Sequence, residues 1–163
     1  MLTLNKKRVV LIGSKSFIQL NLFDYLKKKL NVRMIKYSDI SKSNISNADF
    51  VVNFSNTKSF YEKKYSKKND RNLKIANFIK NSNTIFFLLS SRVVYSQKLS
   101  LSEKSKLAPI SIYGKNCLKS EKYCKEKLKR KLVILRLSNV FGYESGKKKK
   151  PSLESKILGG IKK

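Results

Sequence analysis

Arg8-Val9-Val10-Leu11-Ile12-Gly13-Ser14-Lys15-Ser16-Phe17-Ile18-Gln19 is the stretch that decides the fold. A short aliphatic run that stops at a glycine is how a buried strand of a parallel sheet ends. Phe17, Ile18, Leu22, Tyr25 and Leu26 then recur at helical spacing up to Leu30. A strand, a tight turn and a helix in immediate succession make the first half of a βαβ unit.

The same alternation continues outward. Val32 to Tyr37 predicts a second strand, and Ala48-Asp49-Phe50-Val51-Val52-Asn53-Phe54 a third, followed by a polar loop. Leu73, Ala76 and Ile79 mark an amphipathic helix after Asn69, and Thr84 to Leu89 a further strand. Residues 111–130 include a helix, and Leu132 to Leu137 form the last clear strand. Repeated βα units imply the α/β class: a Rossmann-type doubly wound parallel sheet with helices on both faces and right-handed crossovers.

Composition sets the outer bounds. A chain of 163 residues, 40% of them apolar, is one globular domain. Its longest apolar run, Thr84 to Leu89, falls far short of the ~20 residues that span a bilayer. Met1 to Arg8 lacks the apolar stretch of a signal peptide, so a cytoplasmic location is expected. With no histidine, imidazole bases and Ser-His-Asp catalysis are excluded. Cys117 and Cys124 lie seven apart, a spacing that suits one face of a helix and no metal site, so two free thiols and no metal are expected.

Thirty-eight basic residues against 10 acidic ones give a net charge of +28, which would attract nucleic acid or an anionic membrane. The lysines are spread along the chain, however, and only Lys147 to Lys150 forms a block. No basic motif interleaved with aromatics appears, so the expectation is a solvated surface without a nucleic-acid or membrane partner. The same block, before Pro151, is the nearest thing to a boundary, dividing the chain into residues 1–146 and 147–163.

Five segments, taken in order, resemble one family. Gly13-Ser14-Lys15-Ser16-Phe17-Ile18-Gln19 resembles the G-x-x-G-F-I-G opening of extended short-chain dehydrogenases/reductases, the NAD-dependent epimerase/dehydratase group acting on nucleotide sugars. Asp49-Phe50-Val51-Val52-Asn53 resembles the strand before the cofactor-flanking loop. Ser90-Ser91-x-x-Val94-Tyr95 resembles S-S-x-x-V-Y-G, and Pro109-x-Ser111-x-Tyr113-Gly114 with Glu121 resembles P-x-S-x-Y-G-x-S-K-x-x-x-E. Leu135-Arg136-Leu137-x-Asn139-Val140-Phe141-Gly142 resembles the L-R-x-x-N-x-Y-G that begins the substrate-binding portion.

The resemblance implies an NAD or NADP cofactor and a nucleotide-sugar-like substrate. It assigns Ser91 to the substrate oxygen and Tyr113 to proton transfer, with Gly13, Ser16, Phe17, Ile18, Asp39 and Asn53 at the cofactor and Asn139 at the substrate. It further implies that a homodimer is possible through the Tyr113 helix and the helix before it, against which the charges of Lys119 to Lys131 would repel. Asp39 is open between a ribose ligand, part of an adenine-contacting stretch left by deletion of a helix, and the cap of a turn.

Three departures stand out. Ser16 and Gln19 occupy the second and third glycine positions of the first turn; the third glycine lets helix and strand pack closely, so Gln19 is expected to oppose that packing. Cys117 occupies the position of the lysine whose charge lowers the tyrosine pKa. Residues 147–163 are expected to hold only a remnant of the substrate lobe, which is otherwise largely absent. Cofactor affinity and catalysis are therefore expected to be weakened or lost. A non-catalytic Rossmann nucleotide-binding or regulatory module, and a basic polyanion-binding protein, are the competing readings.

Overall fold

The computed structural model describes residues 7–96 and 100–140. Among them five strands form one parallel sheet: β1 (Arg8–Ile12), β2 (Asn31–Ile35), β3 (Phe50–Asn53), β4 (Ile85–Ser91) and β5 (Leu132–Leu137), in the order β2-β1-β3-β4-β5. β1 pairs with β2 along one edge, Val10 opposite Arg33, and with β3 along the other, Val10 opposite Val51. The sheet thus grows in both directions from β1, and the β1/β3 boundary is the switch point at which α/β sheets open a crevice.

Helices divide between the two faces as the period-2 alternation of the strands demands. Val9, Leu11 and Val52 point to the face covered by α1 (Phe17–Leu26), against Leu22, Phe23 and Leu26. Val10, Ile12, Val51, Phe86 and Leu88 point to the opposite face, where α2 (Lys42–Ile45), α4 (Arg71–Ile79) and α5 (Ile112–Leu128) supply Ile45, Ile75, Ile79, Cys124 and Leu128. The short α3 (Lys58–Glu62) packs Phe60 beside Cys117 in a separate cluster. Each helix begins at a side chain that accepts an orphan N–H: Ser16, Ser41, Thr57, Asp70 and Ser111.

β2 and β3 are shorter than the apolar runs suggested, whereas β4 runs on to Ser91 and β5 has the expected bounds. β2 ends at Ile35, because Tyr37 opens a 3-10 turn (Tyr37–Asp39) and lies under the Arg71 guanidinium, 4.1 Å from the ring centroid. Between β2 and β3 the crossover is reduced to that turn and the four-residue α2, held by a reciprocal cap between Ser41 and Asn44. β2 therefore stands at the sheet edge. No helix among the described residues is long and apolar enough to cross a membrane. The expected second segment, 147–163, and Phe141-Gly142 lie outside the described residues.

Phe86, fully buried at the centre of the larger cluster, is the sharpest test of this core. Phe86→Ala is expected to lower unfolding stability by about 3–5 kcal/mol, whereas Tyr25→Ala, at a 61% exposed position, should stay within about 0.5 kcal/mol. Urea titration followed by circular dichroism measures both.

Candidate active site

The first turn is built by a close approach. Gly13 N–H donates to the Ile35 carbonyl at 2.9 Å, and a Cβ on Gly13 would stand 2.5 Å from Gln19 Oε1 and 3.0 Å from Phe54 Cβ. Only glycine fits. Gln19 itself is fully buried; its Oε1 accepts the Lys15 N–H at 2.9 Å and its Nε2 donates to the Leu11 carbonyl at 3.2 Å. The expectation that Gln19 opposes close packing is thus corrected: its amide fits under the turn and ties α1 to β1, because both ends of the carboxamide find backbone partners. Lys15 adopts a left-handed φ of 63° to present that N–H. One backbone donor of the turn is consumed internally. The N–H groups of Phe17 and Ile18 have no acceptor among the described residues, as befits the first turn of a helix.

At the end of β3, Asn53 is 4% exposed and its amide is committed. Nδ2 donates to Asn72 Oδ1 at 2.7 Å and to the Ser55 carbonyl at 3.2 Å, and Oδ1 accepts the Ser55 N–H and hydroxyl. Asn72 passes the chain on to Ser120 Oγ on α5 at 3.3 Å. Asn53 thus anchors β3 to α4 and, through Asn72, to α5. Its neighbour Asn56 differs, since its Oδ1 is buried without a partner among the described residues.

β4 delivers two hydroxyls. Ser91 Oγ accepts the Val93 N–H at 3.4 Å and so caps the 3-10 turn Arg92–Val94. That turn is locked against α5, because a Cβ on Gly114 would stand 2.5 Å from the Val93 carbonyl oxygen. The contact brings Tyr113, one residue earlier, to the same wall as Ser91. On the inner side, Ser90 Oγ donates to Glu121, whose carboxylate takes Arg136 from two sides, Nη2 to Oε2 at 2.7 Å and Nε to Oε1 at 3.1 Å. Arg136 Nη1 also donates to the Tyr95 hydroxyl at 2.8 Å. The pair cross-links α5 to β5, and the Ser90 hydroxyl adds β4.

These edges enclose a crevice of about 340 Å³ at the carboxyl ends of the strands. Of the residues expected at the site, Ser16, Ile18, Asn53, Ser91 and Tyr113 line it. Gly13 and Phe17 do not; Gly13 is buried beneath the turn, and Phe17 is half-buried on α1. Asp39 lies exposed outside it, its carboxylate accepting the Ser38 hydroxyl at 2.6 Å and its carbonyl the Asn44 amide at 2.7 Å, the bonds of a turn. Asn139 is exposed between the lining residues Ser138 and Val140. The sequence reading missed Asn56, Tyr61 and Ser138 as lining residues. Nothing in their local pattern marks them, since loops bring in Asn56 and Ser138 and the short α3 brings in Tyr61.

Tyr113 sits in an aromatic and apolar setting. Its ring stacks on Tyr61 at 4.8 Å between centroids and 25° between planes, and meets Phe60 edge-on at 6.3 Å. Burial, then the Cys117 thiol beside it, raise the phenol above its ordinary value. Burial likewise pushes the Cys117 thiol up to about 11. Neither neighbouring lysine supplies a charge here: Lys115 is exposed, and the Lys119 ammonium lies 5.7 Å over the Tyr65 ring.

No protein-family model matches the sequence, and no curated protein matches it. Solved structures share its fold. dTDP-4-dehydrorhamnose reductase from Yersinia enterocolitica superposes with a TM-score of 0.75 at 20% identity, covering 96% of this chain and 60% of its own. UDP-N-acetylglucosamine 4-epimerase from Methanobrevibacter ruminantium, solved with UDP-N-acetylmuramic acid, gives 0.75 at 23%, covering 96% and 64%. UDP-glucuronic acid 4-epimerase from Bacillus cereus, solved with NAD, gives 0.69 at 18%, covering 83% and 58%. The chain therefore shares the Rossmann-type fold of these structures. It spans less than two-thirds of their length.

The cross-link beneath the crevice should dominate its stability. Glu121→Ala leaves the Arg136 guanidinium without its carboxylate and is expected to cost about 3–5 kcal/mol. Adding Arg136→Met to that variant should restore much of the loss in the same denaturation assay.

Proposed function

We propose that the chain is an NAD(P)-binding member of the extended short-chain dehydrogenase/reductase family, of the nucleotide-sugar epimerase, dehydratase or reductase type, with weakened or lost catalysis. The observation that carries this reading is that Ser91 and Tyr113, from β4 and α5, line the same crevice that begins at Ser16 at the N-terminus of α1. Bacillus cereus UDP-glucuronic acid 4-epimerase was solved with NAD, and dTDP-4-dehydrorhamnose reductase from Bacillus anthracis with NADP. Residues 1–146 would form the dinucleotide-binding unit, in a cytoplasmic setting.

The residues present fit a dinucleotide. The buried Asn56 Oδ1 has no donor among the described residues, and the N–H groups of Phe17 and Ile18 have no acceptor. Together with the Ser16 hydroxyl and the helix dipole, those N–H groups would hold phosphate oxygens. The donor that Gln19 removes from the turn lowers the affinity expected of it. When bound, the nicotinamide supplies the hydride acceptor or donor.

The chain's own residues would do the rest. Ser91 Oγ would orient the substrate oxygen, and the Tyr113 phenol would hold the proton that moves to or from it. With its pKa raised, that phenol stays protonated well above neutrality. It is ready to give a proton when a carbonyl is reduced and poor at taking one when an alcohol is oxidised. A lysine at position 117 would put an ammonium one helical turn from the phenol and reverse that bias.

Two measurements decide the matter. NAD or NADP should raise the melting temperature, and neither doing so at millimolar concentration would remove the dinucleotide reading. Turnover of UDP- or dTDP-sugars deuterated at the oxidised carbon should be slow, with the oxidative rate still climbing with pH at pH 10, because Tyr113 titrates above its ordinary value of about 10. Cys117→Lys should raise that rate roughly tenfold or more, about 1.4 kcal/mol of barrier, and bring the plateau below pH 10. Dinucleotide binding without turnover in either protein would instead identify a non-catalytic module.

A further inference from the structure

A second cavity, of about 640 Å³, adjoins the crevice and shares Ser138 with it. It lies between the end of β5, the turn after β4 and the loop at Leu101–Glu103. Two guanidinium groups line it, those of Arg92 and Arg136, with the hydroxyl-bearing side chains of Tyr95, Ser102 and Ser138.

The two arginines are not equivalent. Arg136 is neutralised by Glu121 and spends a third N–H on Tyr95, so its charge serves the fold. Arg92 is exposed and has no ion-pair partner within 4 Å among the described residues. Glu103 also lines the cavity and forms no ion pair with either arginine. Arg92 directly follows Ser91, so its Cα lies about 3.8 Å from that of the residue assigned to the reacting oxygen. The turn Arg92–Val94 is capped by Ser91 and packs closely on Gly114.

We infer that Arg92 is a specificity residue and that the second cavity receives an acidic sugar, a hexuronate or other carboxylate-bearing sugar of a nucleotide sugar. The inference rests on the reading of the crevice given above and names its substrate class. A guanidinium presents a planar fork that matches a carboxylate in two parallel hydrogen bonds, and a neutral hexose offers it nothing comparable. Placed one residue after Ser91, that fork would hold the acid group while the ring carbon bearing the reacting hydroxyl faces Ser91 and Tyr113. A nucleotide diphosphate is the other anion such a fork would grip. The two sources are separable by experiment.

The test is titration calorimetry on the whole chain with saturating NAD or NADP, using UDP, UDP-glucose and UDP-glucuronate as probes. UDP-glucuronate should bind about tenfold more tightly than UDP-glucose, some 1.4 kcal/mol. Arg92→Gln should collapse that preference to within twofold, and Glu103→Gln should widen it by removing a like charge. Equal affinities for the two sugars, or a preference that survives Arg92→Gln, overturns the inference. An equal loss of all three probes in Arg92→Gln overturns it too, by assigning the residue to the diphosphate. If the dinucleotide binds and the sugars do not differ, only the acidic-sugar inference falls. If neither dinucleotide nor any probe binds, the reading of the crevice falls with it.

Discussion

The parallel pairing of β1 along both of its edges is the constraint on which everything else rests. Hydrogen bonds to β2 and β3 in register, from Val9 opposite Val32 and Phe50 to Ile12 opposite Ile35 and Asn53, bring the carboxyl ends of the strands to one edge. Because α1 leaves β1 on one face and α4 and α5 pack on the other, the space above that edge is left open. Ser16, Asn53 and Ser91 meet there although 75 positions separate the first from the last. The turn at Gly13 completes the edge, and its tightness is steric, set by Gln19 and Phe54 beneath it.

Beneath the crevice the structure relies on polar groups. Glu121 and Arg136 are largely withdrawn from solvent, with 4% and 22% of their side chains exposed. Their desolvation is offset only because Ser90 and Tyr95 complete the hydrogen bonds. A second chain of hydrogen bonds, Asn53 to Asn72 to Ser120, ties β3 to α4 and α5. These networks set the rotation of α5 about its own axis and hence where Tyr113 points. The Cys117 thiol stands beside the phenol, and aromatic stacking on Tyr61 withdraws it from water, so its proton is held tightly.

The charge of the chain takes on a local meaning in this setting. Most lysines lie on the surface and do nothing for the crevice, and the ammonium of Lys119, one of the lysines near Tyr113 in sequence, rests over the Tyr65 ring. Arg92 is different because of where it sits. It is held by a capped turn beside the candidate reacting hydroxyls, in a cavity whose other arginine is already neutralised. Position rather than the overall excess of positive charge gives it something to do.

The fold was legible in the residues themselves. Aliphatic runs ended by turns, helical spacing after Gly13 and Asn69, and caps such as Ser16, Asp70 and Ser111 are local signals that need no partner to be read. Ser91 and Tyr113 were legible as members of spaced motifs. Strand ends were not, since β2 stops where Tyr37 finds Arg71, a contact made only after folding. The place of Gln19 was misread because its two hydrogen-bond partners, the Lys15 N–H and the Leu11 carbonyl, are backbone groups that carry no sequence signature. Asp39 and Asn53 show the same limit, as residue type announced a polar role and the partners were decided elsewhere. Residue spacing alone determined the βα order. Tertiary structure alone decided which hydroxyls share a crevice, which amides are already committed and which arginine is already ion-paired, because burial and hydrogen-bond partnership exist only between segments brought together in space.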